Sequence, residues 1–387
     1  MPSRPVMIRG RSRVGARCED VPVPAHPLDR VHRRRLATQR LSSTGLPRGA
    51  DVVRLLGCVQ AQDAPLAAWS LGMRMKPGTT YADVLAEQAA GGWVRTHVLR
   101  PTWHLLAPED LRWVQRVTGP RVESGVAGVN RRLGLTAEVV TAALRVLESL
   151  LAGPTPRTRR EVRVAFDAVG LPTAVQHLAH LLIIAEVRAV ICSGPPRGTE
   201  HTYVLVDEVV PPAPFDDLAE GDARRELTRR FISGHGPASE RDLARWSTLT
   251  LTQIRSALAD LAGVLERVEV DGHELWFDPR VAARTTHDHG AYLLPTFDEV
   301  CLTYAQTGFP RRNPDATRQR LLSESGGGIV VVRGEDVGIW KRAVSAKDVR
   351  VTVWPDVPLG RDDRDDIAAA AQGLADFVER PLDLLVS

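Results

Sequence analysis

The hydrophobic and polar positions of residues 222–278 change from helical to alternating spacing. Apolar side chains recur every three or four residues over 222–232 and again over 250–261, which predicts two helices with one buried face each. Between them, Ser239-Glu240-Arg241-Asp242 has the S-x-x-D pattern of a capping box and predicts the start of another helix. Two alternating runs then meet at Asp271-Gly272, a preferred two-residue hairpin turn. Helix, helix-turn-helix and hairpin is the order of a winged helix.

The same order of elements is predicted twice more upstream. Residues 159–206 give two helices followed by two strands. Near the start of the chain, helices are predicted over 28–39, 52–59 and 81–90, and two strands then pair around Leu99-Arg100-Pro101. Three units of roughly 70 residues indicate a tandem array, although they share a pattern rather than residue identities.

The C-terminal part of the chain has a different pattern. Residues 291–355 are rich in alternating runs, and residues 365–378 have the pattern of a closing helix. Gly326-Gly327-Gly328 is interpreted as a plain turn that opens a strand. The predicted fold class is mainly α with β (α+β), with tandem winged-helix motifs followed by a small C-terminal antiparallel β-barrel or sheet. The predicted segments are a disordered basic head at 1–27, winged-helix units at 28–152, 153–221 and 222–290, and the C-terminal β-barrel with its closing helix at 291–387.

Charge is unevenly distributed along the 387 residues. The formal net charge is only +3, but residues 1–35 carry +6, so the remainder sums to −3. A strongly basic body that holds nucleic acid by bulk charge is therefore excluded, whereas local arginine patches are not. Only three of the 50 basic residues are lysines, namely Lys76, Lys341 and Lys347. The arginine excess is typical of GC-rich coding, and it also suits phosphate, because the planar fork of arginine binds two oxygens at once.

Cysteine spacing and hydropathy give expectations about metal, redox state and location. The four cysteines lie far apart and form no C-x-x-C pair, so no thiolate zinc site is expected. No run of about 18 apolar residues occurs, so we expect no membrane span. We therefore expect reduced thiols, a cytoplasmic (nucleoid-associated) location, and neither a metal nor a cofactor.

The segment from Val59 to Pro65 has an unusual cluster of polar side chains. Gln60, Gln62 and Asp63 follow an apolar helix and have no local partner, and the two amides would point the same way in extended chain. One interpretation is that these side chains satisfy helix ends. The other is a functional site.

A second polar segment runs from Arg95 to His104. In a strand, Arg100, Thr102 and His104 share one face, which could bind phosphate or line a pocket. The alternative is the exposed face of a two-layer sheet.

Together, Gln60-Ala61-Gln62-Asp63 and Arg100-Pro101-Thr102-Trp103-His104 resemble the winged-helix DNA glycosylase family typified by AlkZ and YcaQ. The resemblance extends through residues 236–247, Leu293 to Glu299, and Val337 to Arg342, and it covers about residues 28–380. It implies tandem winged helices and a C-terminal barrel. The Gln-x-Gln form is similar to the AlkZ branch of the family.

The resemblance implies that Gln60 and Gln62 are the catalytic residues. The expected substrates are alkylated purines in double-stranded DNA, chiefly N7-alkylguanine and N3-alkyladenine, with bulky adducts and interstrand crosslinks as further candidates. Such bases are cationic and leave readily, so orienting water and stabilising an oxocarbenium-like sugar would be enough. Neutral amides can do this, since each both accepts and donates hydrogen bonds. We expect an unflipped, groove-side mechanism over base flipping.

The lysine positions and the resemblance give further expectations about the reaction and about the DNA contacts. We expect a monofunctional enzyme without lyase activity, because a lyase needs an amine nucleophile and none of the three lysines lies in either polar segment. Asp63 and Asp298 are accessory candidates. DNA contacts are expected from Arg100, Thr102, His104, Arg311, Arg312, Lys341 and Arg342.

Two other functions fit the pattern. A winged-helix transcriptional regulator would bind DNA without catalysis, and it would be a dimer that reads a palindrome. A resistance protein that sequesters a genotoxin would protect without releasing any base. A glycosylase, by contrast, should be a monomer that is indifferent to flanking sequence and serves DNA repair or antibiotic self-resistance.

Overall fold

The computed structural model describes residues 27–198, 200–282, 284, 290–304, 306–314 and 326–387. The predicted disordered head lies almost wholly outside these residues. The helices are α1 (Pro27–Thr38), α2 (Gly49–Leu56), α3 (Ala64–Gly72), α4 (Tyr81–Ala89), α5 (Leu111–Arg132), α6 (Ala137–Leu151), α7 (Arg159–Asp167), α8 (Val175–Val187), α9 (Val206–Val209), α10 (Glu220–His235), α11 (Glu240–Ser247), α12 (Leu251–Asp260), α13 (Glu299–Thr303) and α14 (Arg361–Phe377). Within the part of the chain that is described, no helix is long and apolar enough to cross a membrane.

The strands form four sheets. They are β1 (Val59–Gln60), β2 (Val94–His97), β3 (Trp103–Leu106), β4 (Arg157–Thr158), β5 (Ile191–Arg197), β6 (Glu200–Leu205), β7 (Glu266–Val270), β8 (His273–Phe277), β9 (Ala291–Pro295), β10 (Gly327–Val332), β11 (Glu335–Val344), β12 (Val349–Pro355) and β13 (Leu382–Val386). Two three-stranded sheets, in the orders β1-β3-β2 and β4-β6-β5, and the hairpin β7-β8 each follow a group of helices. This arrangement confirms the tandem winged-helix prediction.

Local signals in the sequence set several helix and turn boundaries. The Ser239 hydroxyl accepts from the Asp242 amide at 3.2 Å while the Asp242 carboxylate accepts from the Ser239 amide at 2.9 Å, so the predicted capping box begins α11. Thr250 caps α12 in the same manner. Asp271 and Gly272 have φ values of 52° and 72°, the conformation that a tight hairpin turn requires. The third winged helix is thereby confirmed element by element.

The C-terminal part is an open five-stranded sheet in the order β13-β12-β11-β10-β9. Of the two predicted forms, the sheet is present, and the closed barrel predicted for residues 291–387 is wrong. The strand after the closing helix was not predicted, and β13 pairs in parallel with β12, so the sheet is mixed rather than antiparallel. The helix α14 supplies the connection that a parallel pair needs.

Two of the three consecutive glycines lie inside a strand rather than in a turn, which corrects their interpretation. Gly327 and Gly328 belong to β10, between β9 and β11. A Cβ atom on Gly327 would lie 2.0 Å from the Trp340 carbonyl oxygen, and one on Gly328 would lie 1.8 Å from that of Leu294. Glycine is therefore required by the close approach of neighbouring backbones.

The hydrophobic cores cross the predicted segment boundaries. Trp69 and Leu71 of α3 share a core with β9–β12 and with Phe377 of α14, and the Trp69 and Phe377 rings lie 5.3 Å apart. In α6, Leu147 and Leu151 pack with the second winged helix. The boundary at residue 152 remains a prediction, but the packing associates α6 with the unit that follows it.

Candidate active site

Gln60 lies on a short strand beside the second polar segment. The helix α2 ends at Leu56 and Gly57 has a φ of 74°, which turns the chain so that β1 runs antiparallel to β3. The helix predicted over 52–59 is therefore displaced, since α2 begins and ends three residues earlier. In the resulting register, Gln60 stands opposite His104. The two segments that sequence analysis singled out separately are thus neighbours in one sheet.

The Gln60 side chain is held by Arg100. Nη2 of Arg100 donates to Oε1 of Gln60 at 2.6 Å and lies 3.3 Å from Nε2 of His104. Because a guanidinium only donates, this contact fixes which end of the Gln60 amide is the oxygen. Burial lowers the pKa of Arg100, Glu299 opposes the shift, and Arg245 adds to it. Arg100 therefore presents a half-buried positive charge to the amide.

His104 is buried beside Arg100 and is neutral. Burial, and then the charge of Arg100, lower its pKa to about 3. Its Nδ1 lies 2.9 Å from the Thr102 carbonyl oxygen, so Nδ1 carries the hydrogen and Nε2 is free to accept from Arg100. The side chain is 0% exposed. This burial weakens the predicted contact between His104 and DNA, which stays a prediction, and the residue contacts Arg100 instead.

The backbone between the two glutamines is fixed by Arg95 and Trp103. Arg95 donates to the Ala61 carbonyl oxygen from Nε at 3.1 Å and from Nη2 at 3.0 Å, and its guanidinium lies 4.3 Å from the centre of the Trp103 ring. The Ala61 amide donates to the Trp103 carbonyl at 2.7 Å. Gln62 is exposed, and its Oε1 accepts from the Trp103 amide at 3.4 Å. The Trp103 backbone therefore contacts both Ala61 and Gln62.

A buried carboxylate supports Trp103 from the second winged helix. Glu186 is 0% exposed, accepts from the Trp103 indole nitrogen at 3.3 Å, and contacts Nδ1 of His97. His201 lies 5.5 Å from the Trp103 ring and 3.3 Å from Nη1 of Arg95. The pKa of His201 is lowered to about 4, first by burial and then by Arg95. This side of the site is built from residues of two winged helices.

The two accessory candidates have structural roles in the helices that they begin. Asp63 caps α3 by accepting from the Leu66 amide at 3.0 Å. Asp298 is 0% exposed and makes two 2.8 Å hydrogen bonds with Arg74, so it is sequestered in a buried ion pair. The accessory role of Asp298 stays a prediction, and the buried ion pair weakens the case for it. Its neighbour Glu299 contacts the motif directly, since its Oε1 accepts from the Gln60 backbone amide at 3.0 Å.

The remaining predicted DNA contacts are spread over three regions. Arg342 is half-buried on β11, and burial lowers its pKa, while electrostatic interactions with Asp63 and Tyr81 offset part of the shift. Its neighbour Lys341 is half-buried on β11. The Thr102 hydroxyl is buried and, within the described residues, has no hydrogen-bond partner.

The two C-terminal arginines have carboxylate neighbours. Arg312 donates to Glu335 of β11 at 2.8 Å and to Asp363 of α14 at 3.0 Å, so two carboxylates balance its charge. Arg311 lies 3.7 Å from Asp356. These contacts weaken the case for Arg311 and Arg312 as phosphate ligands, because both arginines already have intramolecular carboxylate partners.

Sequence reasoning did not find Glu299 or Glu186. Neither has a local motif that signals a function, because each reaches the site only through tertiary packing. For the residues that are described, no group of three His, Cys, Asp or Glu side chains could hold a metal ion. The groups around Gln60 are amides, the Arg100 guanidinium, the neutral His104 imidazole and the buried Glu299 carboxylate, which suit orientation of a water or a sugar.

This fold and site define a tandem winged-helix protein whose candidate active centre is a pair of glutamine side chains. Arg100 donates to the side chain of Gln60, and Arg95 donates to the backbone between the two glutamines. The family model described as "DNA glycosylase AlkZ-like" matches residues 53–377, and the chain belongs to this AlkZ-like DNA glycosylase family. The chain is also similar to the solved structure of Streptomyces sahachiroi DNA glycosylase AlkZ, with 22% identity, a TM-score of 0.74, and coverage of 94% of this chain and 100% of that one. That likeness establishes the fold. No curated protein matches the chain.

Proposed function

We propose that this DNA glycosylase hydrolyses the N-glycosidic bond of alkylated purines in double-stranded DNA, chiefly N7-alkylguanine and N3-alkyladenine. Alkylation makes these bases cationic, so departure of the base needs little acid catalysis. The enzyme has to place a water and stabilise positive charge on the sugar, which is a matter of orientation and electrostatics. Undamaged bases are poor leaving groups, and weak catalysis spares them.

The observation that carries the proposal is the fixed amide of Gln60. Arg100 holds Oε1 at 2.6 Å, and the neighbouring His104 is neutral because burial lowers its pKa to about 3. A strong general acid or base is therefore missing from this contact, as expected when the leaving group is already activated. Gln62, two residues further along the chain, is exposed and can contact DNA.

We also infer that the enzyme acts from the groove without flipping the base. Gln62 is exposed, whereas Gln60 is only 6% exposed, so the motif is open to solvent just after the end of β1. An exposed amide can reach a base that stays stacked, and a bulky adduct need not fit a pocket. Bulky adducts and interstrand crosslinks are the further substrates that this geometry favours.

Release of 7-methylguanine from a duplex with one defined lesion, followed by alkaline cleavage at the abasic site, tests the function. Gln60→Ala and Gln62→Ala should lower the single-turnover rate by roughly 10²-fold or more, while binding to the same DNA persists. Gln372→Ala is the matched control, because Gln372 is an exposed amide on α14 that donates to Asp376. Wild-type rates in both site variants would refute the assignment. Binding without any release would favour a regulator or a sequestering protein.

The same reaction shows whether the enzyme is monofunctional. The whole chain has three lysines, and none lies within residues 59–65 or 95–104. We therefore expect an intact strand until base is added, and no covalent product after borohydride reduction. Strand cleavage that keeps pace with base release would contradict this part of the proposal.

A further inference from the structure

Glu299 is a buried carboxylate directly behind Gln60. Its Oε1 accepts from the Gln60 amide at 3.0 Å, and its Oε2 accepts from the Trp246 indole nitrogen at 3.0 Å. Nε2 of His235 lies 3.5 Å from Oε2. The Glu299 side chain is 0% exposed. It therefore connects β1 of the first winged helix with α10 and α11 of the third.

These contacts keep Glu299 ionised. Burial by itself raises the pKa of the carboxyl, but His235, the charge of Arg100 and the Gln60 amide together lower it below its usual value. A buried carboxylate that stays charged strengthens every hydrogen bond it accepts. The Gln60 backbone is therefore held by a charge-assisted bond.

Gln60 is thus fixed from two directions by opposite charges. Arg100 holds the side-chain oxygen and Glu299 holds the backbone nitrogen. A lone cation at Arg100 would oppose the positive charge that develops on the sugar as the base leaves, and a carboxylate behind Gln60 offsets it. Asp298, one residue earlier, is directed elsewhere, since both of its carboxylate oxygens accept from Arg74 at 2.8 Å.

We propose that Glu299 is a positioning residue for base excision, which fixes the Gln60 backbone and offsets the positive charge of Arg100. This inference rests on the proposed function. It assigns to Glu299 an effect on the rate of bond cleavage and not on the affinity for DNA, because its fully buried side chain cannot touch the substrate.

Single-turnover release of 7-methylguanine and equilibrium binding to the same duplex separate these two effects. Glu299→Gln removes the charge at nearly constant size, and it should lower the saturating rate by about tenfold or more while the Kd stays within about twofold. Glu299→Asp keeps the charge but withdraws it from the Gln60 amide, so it should lower the rate in the same direction. If Glu299→Gln does not fold, Glu299→Asp tests the contact with the Gln60 backbone by itself, since it keeps the counter-charge for Arg100, and a wild-type rate in that variant would overturn the positioning role.

Asp110→Asn is the matched control. Asp110 is also buried and also accepts from an indole nitrogen, that of Trp113 at 2.8 Å, but its charged partner is Arg230 at 2.6 Å. We expect this variant to lose stability and to keep the wild-type rate on its folded fraction. Wild-type rates in both Glu299 variants would overturn the positioning role and leave a purely structural one. A wild-type protein that releases no base would overturn the proposed function, and this inference with it.

Discussion

Gln60 and Gln62 are the same residue type in two different surroundings. Gln60 is 6% exposed and bonded to Arg100, whereas Gln62 is exposed and makes one long contact with the Trp103 amide. A fixed amide can orient a water precisely, because it has lost its rotational freedom before the substrate arrives. An exposed amide can adapt to the lesion. The difference suggests that Gln60 contributes more to the rate and Gln62 more to recognition.

Arg100→Met should lower the single-turnover excision rate by about 10- to 100-fold, because Oε1 of Gln60 loses the donor that fixes it. Rates measured on a 7-methylguanine duplex at saturating enzyme check this. The control is Arg54→Met, which removes an arginine that pairs with Glu109 on the surface, with side chains 42% and 40% exposed. A rate within twofold of wild type for Arg100→Met would mean that Gln60 orients itself without help.

Among the elements, the two-residue strand β1 decides the geometry of the site. It exists because α2 stops at Leu56 and Gly57 reverses the chain direction, and because β3 offers a free edge. Its register with β3 sets Gln60 against His104. A strand of two residues is too short to show alternating polar and apolar positions. The sequence therefore predicts a helix that continues to residue 59.

Gly328→Ala should destabilise the C-terminal sheet by more than about 2 kcal/mol. The new Cβ would lie 1.8 Å from the Leu294 carbonyl oxygen, so β9 and β10 must separate. Urea unfolding monitored by circular dichroism measures the free energy of unfolding. Gly125→Ala is the control, since a Cβ atom at Gly125 in α5 would meet no described atom within 4 Å beyond the backbone of its own helix. This change should stabilise by about 0.5–1 kcal/mol. Equal effects of the two substitutions would contradict the packing argument.

Across the whole molecule, the winged helices and the C-terminal sheet are joined by buried charges as well as by shared cores. Arg74 and Asp298 link the end of α3 to the start of α13, and Glu299 links the same point to α10, α11 and β1. Breaking a buried pair by removing one partner costs about 3–5 kcal/mol. The relative placement of the units is therefore specified by a few polar contacts that tolerate little change.

Stability should fall as the pH drops below about 6.5, because three histidines in different parts of the fold resist protonation. Burial is the first cause that lowers the pKa of His32 to about 4, His104 to about 3 and His201 to about 4, from a usual value of 6.5. Between these values the unfolded chain binds protons that the folded protein does not. Their contribution is fully present above pH 6.5 and is lost on acidification, by at most about 4 kcal/mol per pH unit.

Urea unfolding at pH 7.5, 6.5 and 5.5 and constant ionic strength measures this dependence. His201→Gln removes one of these titrating groups and should lower the slope between pH 6.5 and 5.5 by up to about 1.4 kcal/mol per pH unit. A free energy of unfolding that is constant over this range would show that the histidines titrate normally in the folded protein.

Local signals in the sequence determine the order of the elements but not the charges and partners at the site. Caps at Ser239 and Thr250, the Asp271-Gly272 turn and the alternating runs depend on neighbours a few residues away, so the chain itself determined the winged-helix order. The same holds for the Gln60, Gln62 and Arg100 side chains as candidates. Only the tertiary structure decided that His104 is buried and neutral, that Asp298 is sequestered by Arg74, and that Glu299 reaches a Gln60 amide 239 residues away. Burial and long-range pairing exist only once the chain has closed on itself, and these are what set the charge and the partner of each group at the site.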